Sequence, residues 1–580
     1  MESTIKDLRN RTGLSQVKFA TMLGVSVASL RRWEAGDTRP SPMAIHQIEE
    51  FEKMSDTELL EIGNNYVKPT ENIPGTAYST SFSWKGKKYD AQWAPYVING
   101  PFDQKAFYEK LIELQENADL SIDFTEYCSR LSMLQSVNGT ETAQFLMEAP
   151  KSNAKSWTSD YGTHGFHRYV GRFPSHVIRA LINAFGATSK DTILDPFCGS
   201  GTTLVESRML GVNAVGIEIS PLSSMMSRVK SSFPLDGMRV SDLVTELSSF
   251  YNDKWNSFVD NKDITEFSYE EILDRVGNKI TKFANIEKWF SKDALLGTSI
   301  IVEFIMQKTG YVKDFITIAL SSKMRSIGNV DVDVVRAEYR KEPRQNVDVL
   351  KLVLHQIQKM ASGINCTLSA CKNTITGAES IKIIEESVLN AEIAPNSISH
   401  IITSPPYGVE SLSYLRTHLL SFRALEPILG VDPYNFGDGI IGSEYLGDSL
   451  PDTEKFKVAG ASKTYKSYFA SIYNSANSKK EEKRIVMMMQ FFEDMYEVVE
   501  RFSRWLKPDG KVAFVIGNKK LGDSIIPTDK IIEEIFSFFG FRLVESIAHK
   551  LKTNNSNSQV PWQERIIENE YIMIFERKKK

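Results

Sequence analysis

The sequence predicts an α/β chain whose larger part is a parallel, doubly wound sheet, preceded by a small all-α unit. Three observations carry this. From about residue 160, short apolar runs that read as strands alternate with runs of helical period, the pattern of a parallel sheet flanked by helices. One of those strands, Thr192–Leu194, ends at Asp195 and runs into a Gly-rich turn that opens a helix. The first 55 residues, by contrast, show only helical periods and helix punctuation.

At 580 residues the chain exceeds what one hydrophobic core serves, so about two to four domains are expected. A hydrophobic fraction of 42% and a charged fraction of 24% are those of a globular protein. No apolar run reaches the roughly 18 residues that cross a bilayer, and MESTIKDLRN lacks the apolar core of a signal peptide. A cytoplasmic protein of a bacterial or archaeal cell is expected, with no membrane partner. Cys128, Cys198, Cys366 and Cys371 are too scattered for a disulfide framework, and no CxxC or HExxH pattern suggests a metal. A net charge of −4 excludes a non-specific polyanion binder and leaves room for DNA on a local basic face.

In the N-terminal unit, Ile5 and Leu8, then Phe19, Ala20 and Leu23, repeat at helical spacing. Ser15 suits the N-cap of a helix running to Leu23, Gly24 its end, and Ser26 the cap of a third helix through Trp33. Two short helices around a tight Gly turn make a helix-turn-helix. Residues 57–158 are less readable and are treated as an accessory or linking domain. Within 159–580, helical Ile178–Ala184, a helix over Leu204–Leu210 and strands Ala214–Ile219, Ile398–Thr403, Val512–Ile516 and Tyr571–Phe575 are expected. Two insertions interrupt them: a mostly helical one at about 222–372, and a polar one at about 437–483 that suits target recognition.

The sharpest chemical signal is DPFCGSGTT at 195–203. Glycines let the backbone approach a ligand, and the helix start beyond them offers free N–H groups. A dinucleotide fold would carry a third glycine; here it is missing and Asp195 stands at the strand end. That carboxylate would repel a phosphate and suits an ammonium group, such as the methionine end of S-adenosylmethionine. Glu218, one helix and one strand later, can accept both hydroxyls of a ribose. The second signal is Ser404-Pro405-Pro406-Tyr407 after the apolar strand. Two prolines stiffen the loop and remove two donors, leaving carbonyls as acceptors for an amine, and Tyr407 offers a face on which a base can stack.

Together DPFCGSGTT and SPPY resemble the amino-methyltransferase family of DNA methyltransferases, which act on N4 of cytosine or N6 of adenine. FHRYVGRFPSHVIRALINAF, GKVAFVIGNKKLGDSI and the closing WQERIIENEYIMIFERK extend the resemblance over most of 160–578. It implies a Rossmann-like S-adenosylmethionine-dependent methyltransferase fold with helical insertions. It implies that Asp195, Phe197, Gly199, Gly201, Thr202 and Glu218 bind S-adenosylmethionine, with Arg172, Phe173 and Pro174 nearby and Glu379 after the third strand. It implies that Ser404, Pro405, Pro406 and Tyr407 form the catalytic loop, without a metal. Ser at the first loop position goes with cytosine in that family, so methyl transfer to N4 of a flipped cytosine is expected, in restriction–modification or host defence. Methylation at carbon-5 is excluded, since no cysteine follows a proline.

LSQVKFATMLGVSVASLRRWEAGDTRPSP resembles the Cro/repressor-like helix-turn-helix family, which implies double-stranded DNA as partner. Gln16, Ser26, Ser29, Arg31 and Arg32 would then face bases or phosphates. A homodimer and a cognate restriction endonuclease are possible partners. N6-adenine methylation, an RNA base-amine methyltransferase and a repressor with a vestigial methyltransferase domain stay open as alternatives.

Overall fold

The computed structural model describes residues 2–14, 16, 19, 27–35, 48, 55, 78–84 and 87–93 of the N-terminal part. From 162 to 578 it describes all but 170, 235–239, 332–339, 341, 372–374, 378, 409–411, 432–438, 443–450, 475–477, 522–523 and 551–568. The chain divides into two compact units, one mainly Met1–Phe102 and one mainly Thr158–Lys580.

In the first unit, α1 (Glu2–Arg11) and α2 (Val27–Glu34) form where the helical periods lie. Ile5 and Leu8 on α1, Leu30 and Trp33 on α2, and Phe19 are buried, each pair three residues apart and so on one helix face. Glu34 accepts from Arg9 Nε at 2.6 Å and from Gln16 Nε2 at 2.6 Å, tying α1 to α2. Two strands, β1 (Tyr78–Trp84) and β2 (Lys87–Trp93), pair antiparallel from Tyr78 against Trp93 to Trp84 against Lys87. The alternation of Ser with larger residues in β1 (YSTSFSW) is a strand pattern.

The second unit is built on a seven-stranded sheet. Its chain order begins with α3 (Ser175–Ala184), β3 (Thr192–Asp195), α4 (Thr202–Met209) and β4 (Asn213–Ile217). A helical run follows: α5 (Pro221–Ser231), α6 (Ser241–Val259), α7 (Tyr269–Val276), α8 (Lys292–Met306), α9 (Gly310–Ile327) and α10 (Val349–Ala370). Then come β5 (Ile381–Ile384), β6 (Ile398–Thr403), α11 (Leu412–Leu429), α12 (Lys463–Asn474), α13 (Lys479–Trp505) and β7 (Leu506–Gly517). The unit closes with α14 (Thr528–Phe538), β8 (Phe541–Lys550) and β9 (Asn569–Arg577).

The strand order is β8-β9-β7-β6-β3-β4-β5. Strands β3 to β7 run parallel, while β9 lies antiparallel to both β7 and β8. The sheet is therefore mixed where the sequence predicts a parallel one: β8 and β9 form an antiparallel pair, and β9, not β8, takes the place beside β7. β3 sits between β4 and β6, so the connections leaving β3 and β6 diverge and open a crevice at the carboxyl ends of those two strands.

Among the described residues, two large apolar cores and one small one form. One large core is helical, built by α8, α9 and α10 with α5, α6 and α11. Phe315, Ile316, Ile318, Ala319 and Leu320 of α9 are all fully buried, which places that helix in the interior. The other large core joins the sheet to α12, α13 and α14. Val458, Tyr465 and Phe469 belong to it, so part of the polar stretch 437–483 is a core layer. Its apolar residues at i and i+4 pack inward while the Lys and Ser residues between them face water. Under α4, Glu206 accepts from Arg179 Nε at 2.6 Å and lies 2.7 Å from His164 Nε2, all three buried. No described helix is long and apolar enough to cross a membrane.

Candidate active site

A cleft opens at the carboxyl ends of β3 and β6. β3 ends at Asp195, which is 6% exposed and holds the two diverging loops together. It accepts from Thr203 Oγ1 at 2.6 Å and the Phe197 amide at 3.2 Å in its own loop, and from Thr403 Oγ1 at 2.8 Å at the end of β6. Burial pushes its carboxyl up to about 6, against the pull of those three hydrogen bonds.

The Gly-rich turn is fixed by Cys198 N, which donates to Ile217 O of β4, and Gly201 N, which donates to Cys198 O. Gly199 has φ +52°, and a Cβ there would stand 3.2 Å from the Tyr169 ring. Gly201, with φ +85°, caps α4, and a Cβ there would stand 2.9 Å from the Ser227 backbone. Both positions need the left-handed backbone and the missing side chain. Glu218, just past β4, accepts from Gly199 N at 2.9 Å and Ser220 N at 2.8 Å. Burial pushes its carboxyl up to about 7, and the neighbouring Asp195 and Glu385 add to the rise against those two amides.

On the β6 side, Ser404 Oγ donates to Tyr407 Oη at 3.1 Å, and Tyr407 Oη donates to Glu570 Oε1 at 2.5 Å. A group of rings stands between the loops. Tyr169 stacks on His418 at 5.6 Å between centroids, and His167 meets His418 edge-on at 5.2 Å. Burial holds both imidazoles in the neutral form, His418 well below its usual range and His167 at about 4.

The cleft is lined by Asp195, Phe197, Gly199, Thr202 and Glu218 from the first loop, Arg172 and Phe173 before it, and Ser404 and Pro406 from the second. Pro174, Gly201, Pro405 and Tyr407 stand beside it without lining it. Glu379, expected to hold the cofactor, does not line the cleft. It lies before β5, at the opposite end of the strand from the cleft, and its carboxylate accepts from Thr376 and Gly377 and pairs with Arg208. The residues that line the cleft after β5 are Glu386, Ser387 and Val388. The signal was present in the apolar run IKII, whose far end they follow. Tyr169, within the FHRYVGRFP stretch, also lines the cleft, as do His418 and Phe422, which no motif announces.

The arrangement suits S-adenosylmethionine. Two desolvated carboxyls face the cleft where an ammonium group and ribose hydroxyls would restore their partners. The Ser200 hydroxyl also lines it, 2% exposed and with no hydrogen-bond partner among the described residues. Cys198 is a buried thiol pushed well above its ordinary range by burial, with Glu218 and Asp195 adding to the rise, which unfits it as a nucleophile. Among the described residues no group of three His, Cys, Asp or Glu is gathered to hold a metal.

Comparison with known proteins agrees with this geometry. A DNA methylase family model matches residues 58–223, and a helix-turn-helix model matches residues 5–51. Residues 58–223 therefore resemble the DNA methylase family, and residues 5–51 the helix-turn-helix family. The DNA methylase match begins at 58, inside the stretch expected to be accessory. The Type II methyltransferase M.BsoBI of Geobacillus stearothermophilus is 25% identical over 71% of this chain and 85% of its own length. M.MvaI of Kocuria varians, also a Type II methyltransferase, is 26% identical over 68% and 86%. M.MjaII of Methanocaldococcus jannaschii is 21% identical over 70% and 79%. These likenesses support a DNA methyltransferase, and enzymes of that kind use S-adenosylmethionine.

In the first unit, Arg31 and Arg32 are exposed on α2. Gln16, expected to face DNA, spends its amide within the protein: it donates to Glu34 and accepts from Arg31 Nε at 3.2 Å. Ser29 stands on α2, its side chain outside the description; Ser26 lies outside the described residues.

Proposed function

We propose that this methylase transfers a methyl group to N4 of a cytosine flipped out of double-stranded DNA, at one short recognition sequence, within restriction–modification or another host defence. The observation that carries the reading is the joining of the two loops through Asp195. It sets a cofactor cleft beside a loop whose first residue, Ser404, is a neutral hydroxyl. The mixed sheet, with its site at the strand-order reversal, supports a Rossmann-like methyltransferase fold. The similar proteins, Type II methyltransferases, support the restriction setting and a cognate endonuclease.

When bound, S-adenosylmethionine supplies an electrophilic methyl group on a sulfonium. Glu218 and Asp195 would hold its ribose and methionine ends, with Phe197, Thr202, Arg172 and Phe173 around them. Ser404 Oγ and the loop carbonyls would accept the two N–H bonds of the target amine and so aim the nitrogen lone pair. Neither is a strong base, so the residues act by alignment and exclusion of water, and the proton leaves after transfer. The base must leave the duplex to reach them, at a cost of a few kcal/mol. We divide the chain into a helix-turn-helix domain at 1–56, a linking segment at 57–158 and a methyltransferase domain at 159–580, whose insertions read the target. The helix-turn-helix, as a dimer, would read an operator or the methylation site.

The test is expression in a methylation-free bacterial host followed by single-molecule sequencing of its genome. N4-methylcytosine in one short motif is expected. N6-methyladenine there would overturn the base assignment. A stretch of 51 residues is 41% identical to a tRNA (guanine(10)-N2)-dimethyltransferase of Methanothermobacter thermautotrophicus, so host tRNA is analysed in parallel. Modification confined to tRNA would overturn the DNA reading.

A further inference from the structure

Glu570 comes from the far end of the chain to the back of the SPPY loop. It is the second residue of β9, half-buried, opposite Gly517 of β7. Its position there depends on β9 having entered the sheet beside β7. The chain of hydrogen bonds from Ser404 through Tyr407 to Glu570 has only one possible direction. An ionised carboxylate has no proton and can only accept. Tyr407 spends its one proton on that carboxylate, at the 2.5 Å typical of a charge-assisted bond. The phenolic oxygen can then only accept from Ser404, and Ser404 spends its own single proton on it, at 3.1 Å. What Ser404 has left to turn toward the cleft is lone pairs.

We propose that Glu570 is a positioning residue that makes Ser404 an obligate hydrogen-bond acceptor. A base edge that presents N–H bonds at that point, an exocyclic amine, is taken. One that presents a carbonyl oxygen is refused, because two acceptors would face each other without a proton. The selection is for amine over carbonyl, cytosine over uracil or adenine over hypoxanthine. It deepens, and rests on, the reading of the Ser404 loop as the amine-binding loop. The same carboxylate polarises the chain as positive charge grows on the amine nitrogen during transfer, since each bond in a directed chain strengthens the next.

The test uses the full-length protein, labelled S-adenosylmethionine and duplexes carrying the sequenced motif with either cytosine or uracil at the target position. Wild type is expected to methylate the cytosine duplex and to bind the uracil duplex more weakly. Glu570→Gln should slow single-turnover transfer by about tenfold or more. Its cofactor affinity should be unchanged, and its preference for cytosine over uracil should narrow, because an amide can donate to Tyr407 and reverse the chain. Glu570→Asp, which keeps an acceptor-only group, should recover part of the rate. Tyr407→Phe cuts the chain, and adding Glu570→Gln to it should cost nothing further. Tyr407→Phe alone, which leaves Ser404 free to donate into the cleft and should also narrow the base preference, carries the test if Glu570→Gln fails to fold. An unslowed Glu570→Gln, an undiminished base preference, or a second loss in the Tyr407→Phe background would overturn the proposal while leaving the methyltransferase reading intact. A wild-type protein that modifies neither duplex would overturn both.

Discussion

Replacing Asp195 by Asn isolates the cost of holding a charge at the junction of the two loops. The side chain is 6% exposed and its carboxyl is pushed up to about 6 from an ordinary 3.8. Between those two values the folded chain keeps a proton that the unfolded chain has lost. Stability from this group is therefore present below pH 4 and is lost as pH rises through 6. Taken from pH 5 to pH 8, that loss is about 1–2 kcal/mol. Asn has the same shape, and its amide can serve the same hydroxyls, because Thr203 and Thr403 can each rotate to accept as well as donate. The expected outcome is that urea denaturation of the cofactor-free protein at pH 5 and pH 8 shows the Asn variant gaining about 1–2 kcal/mol on wild type across that interval. The same variant should bind S-adenosylmethionine more weakly at pH 8, since the carboxylate that would meet the ammonium is gone. A wild-type-to-variant difference that is the same at both pH values would refute the reasoning.

Other outcomes follow from the same geometry. Ser404→Ala should abolish methyl transfer while calorimetry shows S-adenosylmethionine binding nearly unchanged, because Ser404 stands in the SPPY loop and not in the Gly-rich turn; full activity would remove it from catalysis. Glu206→Ala takes the carboxylate partner from fully buried Arg179 and from His164, and should cost about 3–5 kcal/mol in chemical denaturation. Arg31→Ala should weaken binding of the helix-turn-helix unit to DNA and lower the slope of log affinity against log salt by about 1, with methylation of the genomic motif retained. Loss of methylation in that variant would instead assign the unit to target recognition.

The residues that make elements were legible because strand and helix periods are local. The strand Ile398–Thr403 was read at its observed bounds, and Thr192–Leu194 one residue short. The helix read as Leu204–Leu210 begins at Thr202, since Gly201 in the left-handed region starts it two residues earlier. Four-residue β5 escaped notice because so short an apolar run has no period to detect, and with it went the choice between Glu379 and Glu386. In the 437–483 stretch, Lys and Ser outnumber the buried Tyr465 and Phe469, so composition pointed to the surface while spacing put a helix face in the core.

By itself the sequence determined the Gly-rich turn, the stiff SPPY loop, the carboxylates at two strand ends and the helix-turn-helix unit, all of which depend on residues within one turn or strand of each other. Only the tertiary structure decided what those parts face. Asp195 meets Thr403 across 208 positions, and Tyr407 meets Glu570 across 163. Each meeting follows from the order in which strands enter the sheet. That order is set by the packing of whole faces against the two cores, and no local pattern of residues encodes it.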